Sequence, residues 1–156
     1  AEAREKAGDG DGAIAALREA LRRDPADRLG AALHLARLGA AAAPAAPPPA
    51  YVRDLFDAYA DDFETALVDR LGYRGPAQIA ATIAATAAGR RFARGLDLGC
   101  GTGLMAEALA GRVAHLEGVD LSSAMVAKAR AKGLYADLRV ADVVADLRDA
   151  ARPAYD

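Results

Sequence analysis

The sequence predicts an α/β protein in which helices come first and the opening of a parallel sheet follows. Three observations carry this. Short apolar runs at 92–98, 114–121 and 138–143 alternate with helical stretches at 103–111 and 122–132, a pattern that implies parallel strands joined by right-handed crossovers. Gly99, Gly101 and Gly103 form a glycine-rich turn where the first run meets the first helical stretch. A proline run, Pro47, Pro48 and Pro49, separates all of this from an alanine-rich helical beginning.

Taken in order, residues 12–23 place Ile14, Leu17 and Leu21 at helical spacing with Ala13 and Ala20, and Asp24 with Pro25 ends the segment. A second helical pattern covers 26–38, with Leu29, Ala32, Leu33 and Ala36 on one apolar face, blurred by Leu35 and Leu38. Gly8, Ala13, Leu17, Ala20 and Pro25 resemble the turn, small, bulky and terminating positions of a tetratricopeptide repeat, so residues 1–43 are expected to be a tetratricopeptide-like helical segment. Such a segment reads either as a docking module for a protein partner or as a helical spacer. Residues 44–50 form a semi-rigid Pro/Ala linker. From 51 to 156 a single further domain is expected. It opens on a long helix marked by Val52, Leu55, Phe56, Tyr59, Phe63, Leu67 and Leu71, then a second helix from Pro76 to about Gly89.

Composition narrows the class. Twenty Lys plus Arg stand against 22 Asp plus Glu in 156 residues, a balance that makes a nucleic-acid partner unlikely on charge grounds. One cysteine and no secretory leader point to a cytoplasmic setting, and no stretch has the apolar length of a membrane span. His34 and His115 lack metal-ligand spacing, so no metal site is expected.

The chemistry lies in Leu96, Asp97, Leu98, Gly99, Cys100, Gly101, Thr102, Gly103 and Leu104, a strand that breaks into a glycine turn and then a helix. Glycines there permit positive φ and let a ligand approach main-chain atoms. Asp120 follows about 20 residues later at the end of the second strand, where a carboxylate can accept from ribose hydroxyls. A dinucleotide site would want glycine at position 104, and Asp97 would repel a diphosphate. Asp97, Asp120 and Asp142 instead suit a cationic nucleoside such as S-adenosyl-L-methionine.

Residues 96–103 resemble motif I of the class I S-adenosylmethionine-dependent methyltransferases, and Gly118, Val119, Asp120, Leu121 and Ser122 through Met125 resemble the motif after it. Leu55, Phe56, Asp57, Tyr59, Ala60 and Phe63, with Leu71, Tyr73 and Pro76, resemble the lead-in of methyltransferases fused to tetratricopeptide repeats. The resemblance implies a Rossmann-like sheet and the following roles. Asp97 sits near the methionyl amino group, and the backbone of Gly99, Cys100, Gly101 and Gly103 lines the cofactor. Asp120 holds the ribose, Leu121 and Met125 pack on adenine, Asp142 accepts from the adenine amino group, and the Val143 amide faces the ring edge. The acceptor would be a small molecule or a protein.

Simpler roles stay open beside these. Asp142 could cap a helix, Leu121 and Met125 could be core, and Tyr59 with Phe63 form a stripe more often found in cores. Cys100 has no neighbouring histidine to make it a nucleophile, and no catalytic residue is identified. A dinucleotide-binding oxidoreductase domain and a non-catalytic tetratricopeptide scaffold remain the alternative functions. Ala1 and Asp156 both read as cuts, and Pro153, Ala154, Tyr155 and Asp156 resemble the start of a fourth strand. In that family the acceptor wall comes from the fourth strand onward, so turnover by this chain alone is not expected.

Overall fold

A computed structural model describes residues 1–148 and 154–156. The chain divides into two compact units, Ala1–Leu55 and Phe56–Asp156. Among the described residues no helix is long and apolar enough to cross a membrane.

The first unit holds α1 (Glu2–Lys6), α2 (Gly10–Arg23) and α3 (Ala31–Arg37). Asp9 caps α2 by accepting from the Gly12 amide at 2.9 Å. Leu17, Ala31 and Leu35 form the core of the unit, with Ile14, Leu21 and Leu38 packed around them. Here the sequence expectation needs correction. The second helix begins at Ala31, five residues later than its pattern suggests, because Asp27 takes a left-handed φ of 52° and turns its carboxylate onto the Ala31 and Ala32 amides at 2.6 and 3.0 Å. That cap sets the helix phase, so Ala31 and Leu35 face inward while Leu29 is left 71% exposed. The Arg37 guanidinium reaches back to Glu5 at 2.6 Å and ties α1 to α3.

The linker ends sooner than expected, for Pro49 already opens α4 (Pro49–Tyr59), a position where its missing N–H costs nothing. The single long helix expected through Leu71 is broken. After Tyr59 the chain makes a tight turn, Asp62 N–H donating to the Tyr59 carbonyl at 3.2 Å, and then a π-helical segment, Thr65–Arg70. The break coincides with ion pairs from Asp61 to Lys128 and from Glu64 to Lys132, both 2.7 Å, and with the burial of Ala60. Phe63 meets Phe56 and Tyr59 edge-on, with ring centroids 6.2 and 5.8 Å apart.

α5 (Gly75–Thr86), β1 (Phe92–Leu98), α6 (Leu104–Ala108), β2 (Val113–Asp120), α7 (Ser123–Ala131), β3 (Asp137–Val140) and α8 (Val143–Leu147) complete the second unit. The strands pair in parallel in the order β1, β2, β3, with Asp97 opposite Gly118 and Asp120 opposite Val140. The core gathers Val119, Met125, Val126 and Ala129, all 0–1% exposed. β3 is shorter than expected because Asp142 turns the chain out of the sheet and caps α8. Of the residues expected to open a fourth strand, Pro153 lies outside the described residues. Asp156 lies against β1, its amide donating to the Arg94 carbonyl at 3.1 Å.

Candidate cofactor-binding site

The site forms where β1 and β2 end. Gly99, Gly101 and Gly103 have φ of 72°, 53° and 91°, values at which a side chain is strained. A Cβ on Gly99 or Gly101 would meet nothing within 4 Å. These two glycines are therefore needed for their backbone conformation, and the space beside them is open to a ligand.

The turn is held from β2. Asp120 accepts from the Gly101 amide at 2.9 Å through one oxygen and from the Ser122 amide at 2.9 Å through the other. Each oxygen keeps a further lone pair. The Gly99 and Cys100 amides both donate to the Val119 carbonyl, at 2.8 and 3.0 Å. One level deeper, Gly118 makes room for three side chains, since a Cβ there would lie 2.8 Å from Leu138, 2.9 Å from Tyr135 and 3.1 Å from Cys100 Sγ and would force them to shift.

Asp97 is half-buried, and its Oδ2 accepts from the Tyr135 hydroxyl at 2.6 Å. Burial pushes its carboxyl above the usual carboxylate range. The Tyr135 bond works against that rise and the Asp120 charge adds to it. The same burial, reinforced by Asp97 and Asp120, pushes the Cys100 thiol up to about 12, so it is no thiolate at neutral pH. Among the described residues neither Asp97 nor Asp120 makes an ion pair.

The other expected site residues are distributed as follows. Leu121 is half-buried beside Asp120 and Met125 is 1% exposed in the core, its amide donating to the Ser122 hydroxyl at 3.1 Å. Asp142 is exposed and accepts from the Val144 and Ala145 amides at 3.0 and 2.9 Å, which is the geometry of a helix cap. It stays near the β2 end because the Ala141 amide donates to the Asp120 carbonyl at 3.0 Å. Val143 is the first residue of α8.

Two residues at the site had no role assigned from the sequence. Tyr135 stands alone in the connection between α7 and β3, with no pattern to mark it. Asp57, near the end of α4, accepts from the Ser122 hydroxyl at 2.5 Å and the Ala124 amide at 3.0 Å, fastening the helix that precedes the sheet onto the start of α7. Only its place within a motif distinguished Asp57 in the sequence.

Comparison with known proteins agrees with this architecture. Residues 96–156 match the family described as "Methyltransferase domain". The chain is 41% identical over 71 residues to the ubiquinone biosynthesis O-methyltransferase of Alkalilimnicola ehrlichii, covering 44% of this chain and 28% of that protein. It is 46% identical over 48 residues to the ubiquinone biosynthesis O-methyltransferase of Xylella fastidiosa, covering 31% of this chain and 20% of that one. The chain thus matches between a fifth and a third of the length of these curated relatives. Among solved structures, it superposes on magnesium protoporphyrin IX methyltransferase from Synechocystis PCC 6803 with bound SAM with a TM-score of 0.50 and 24% identity, over 64% of this chain and 57% of that one. The fold is the Rossmann-like α/β fold of the methyltransferases, and residues 96–156 are similar in sequence to the methyltransferase-domain family.

Proposed function

We propose that this chain supplies the cofactor-binding part of an S-adenosyl-L-methionine-dependent methyltransferase acting on a small-molecule or protein acceptor. The observation that carries the reading is the pair Asp97 and Asp120. Two carboxylates without ion-pair partners among the described residues flank a glycine turn whose Cβ-free positions face open space. A ligand bringing one ammonium and one sulfonium charge suits that field, whereas a diphosphate would be repelled by it. The methyltransferase-domain match over 96–156 supports the same conclusion.

In this reading Asp97 receives the methionyl ammonium, and the Gly99–Gly101 backbone, with Cys100 between, lies along the methionine and ribose. Gly103 gives the turn its exit into α6. Asp120 uses its remaining lone pairs for ribose hydroxyls while it still holds the Gly101 amide. Leu121, Met125, Asp142 and the Val143 amide bound the adenine side. When bound, the cofactor supplies a methyl group already activated by its sulfonium charge. The task left to these residues is to fix that methyl in line with the acceptor and to exclude water.

The proposal extends to organisation. Residues 1–43 serve as a tetratricopeptide-like segment that offers a surface to a protein partner, 44–50 serve as linker with their last two residues already in α4, and 51–156 serve as the methyltransferase part, in a cytoplasmic protein. The α2–α3 pair with its Leu17, Ala31 and Leu35 core supports the first of these. Titration calorimetry with S-adenosylhomocysteine tests the central reading. Micromolar binding is expected, falling by about tenfold or more in Asp120→Ala, which removes a charged acceptor at about 1.5–3 kcal/mol. Binding of a nicotinamide dinucleotide in its place, or of neither ligand, overturns it.

A further inference from the structure

Tyr135 is bound on three sides. Its ring lies against Gly103 and Gly118, where an added Cβ would come within 3.2 and 2.9 Å of the ring carbons. Two glycines, one in the turn and one in the central strand, therefore make the slot that the ring fills. Seated there, the ring brings its hydroxyl to Asp97 Oδ2 at 2.6 Å. Asp97 Oδ1 accepts from no described group.

From this geometry we infer that Tyr135 is a positioning residue for the ligand's ammonium group: it orients the Asp97 carboxylate with one oxygen occupied and the other presented to the ligand. The inference rests on the cofactor reading above. A phenol suits the task because it is a neutral donor. A lysine or arginine in its place would orient Asp97 equally well but would cancel the charge that attracts the ligand. The O–H bond also favours the ionised form of a carboxyl that burial disfavours. The titratable groups facing Asp97 are Asp120 from β2, Cys100 from the turn and Tyr135 itself.

The test measures the affinity of two ligands for the protein and for Tyr135→Phe by calorimetry over a pH series. S-adenosylhomocysteine carries the ammonium group, and 5′-methylthioadenosine lacks it. The variant keeps the ring in its slot and deletes one oxygen. It is expected to weaken S-adenosylhomocysteine by about tenfold near neutral pH while 5′-methylthioadenosine changes by less than about twofold. Affinity for the first ligand falls as the pH drops through the Asp97 pKa. Losing the O–H bond raises that pKa further, so the fall should begin at higher pH in the variant. In an Asp97→Asn background, Tyr135→Phe should have no further effect on either ligand. Equal losses for both ligands, or an unchanged affinity and pH profile for the first, overturn the inference alone. If the unaltered protein binds neither ligand, the cofactor reading falls and the inference with it.

Discussion

Glu117 and Asp120 stand three positions apart on the same strand and are treated in opposite ways. Glu117 lies in mid-strand, 5% exposed, and accepts from the Arg94 guanidinium, from Arg139 at 2.9 Å and from the Tyr155 hydroxyl at 3.1 Å. Among the described residues, the Asp120 carboxylate, at the strand tip, accepts only from the backbone amides of Gly101 and Ser122, and that of Asp97 beside it only from a phenol. One carboxylate is neutralised by two cations from neighbouring strands, while the other two are oriented by neutral donors. A strand that can recruit arginines at its centre and recruits none at its tip leaves net negative charge where a cationic ligand would bind. Hydrogen bonding alone does not distinguish the two environments, because all three carboxylates have partners. Charge compensation does.

The largest expected effect tests the compensated member. Glu117→Gln leaves Arg94 without its anion, while Arg139 keeps Asp137 and Asp146, and should cost about 2–3 kcal/mol, below the roughly 3–5 of a fully buried pair because Arg94 and Arg139 keep about a third of their side-chain surface in water. Urea unfolding measures it. Burial acts to raise the Glu117 pKa, but the bonds from Arg139, Arg94 and Tyr155 outweigh it and hold the group below the usual glutamate range. Its contribution is therefore fully present above the unfolded value of 4.5 and is lost as the pH falls through the lower folded value. Stability of the unaltered protein should fall in that acid window relative to the variant. Parallel pH dependences would mean that the network contributes nothing.

The sheet and its turn were legible in the sequence because their signals are local. Short apolar runs and glycines at 99, 101 and 103 specify β1 and its exit, and the spacing to Asp120 specifies the second tip. What escaped depends on side chains meeting across distance. The late start of α3 follows from the Asp27 carboxylate reaching forward to two amides, which apolar periodicity does not register. The break after Tyr59 coincides with lysines on and just after α7 that lie more than sixty residues away in sequence. Tyr135 reaches Asp97 across 38 residues, and the Glu117 network joins three strands. Asp142 illustrates the converse. Its acidity and position at a strand end made it a ligand candidate beside its reading as a cap, and the structure puts its carboxylate on the amides of α8.

Asp142 gives the next smaller effect. Asp142→Ala removes acceptors from two amides and should cost about 1 kcal/mol, whereas Asp142→Asn, which keeps a capping oxygen, should cost only a few tenths. Hydrogen exchange at Val144 and Ala145 measures this locally. If the residue also contacts adenine, S-adenosylhomocysteine affinity will fall in the alanine variant by more than the fraying of a five-residue helix explains. Equal affinity would confine Asp142 to its cap and reduce the acidic field at the site to two residues.

The smallest effect has the opposite sign to the first and gives the sharpest contrast. Asp97 has its carboxyl raised in the folded state, chiefly by burial. Stability linked to such a group is fully present below the unfolded value of 3.8 and declines as the pH rises through the folded value. At neutral pH the ionised Asp97 therefore costs the fold free energy that an uncharged isostere would not. Asp97→Asn should leave stability unchanged or raise it by up to about 1 kcal/mol, since an amide oxygen can still accept from Tyr135. The same variant should lose most of its affinity for S-adenosylhomocysteine. Removing the compensated carboxylate would then weaken the fold and removing the uncompensated one would weaken only binding, as expected where a site holds a charge for its ligand at the fold's expense. Destabilisation by Asp97→Asn comparable to that by Glu117→Gln would instead make both carboxylates structural and remove the basis for separating the strand's middle from its tip.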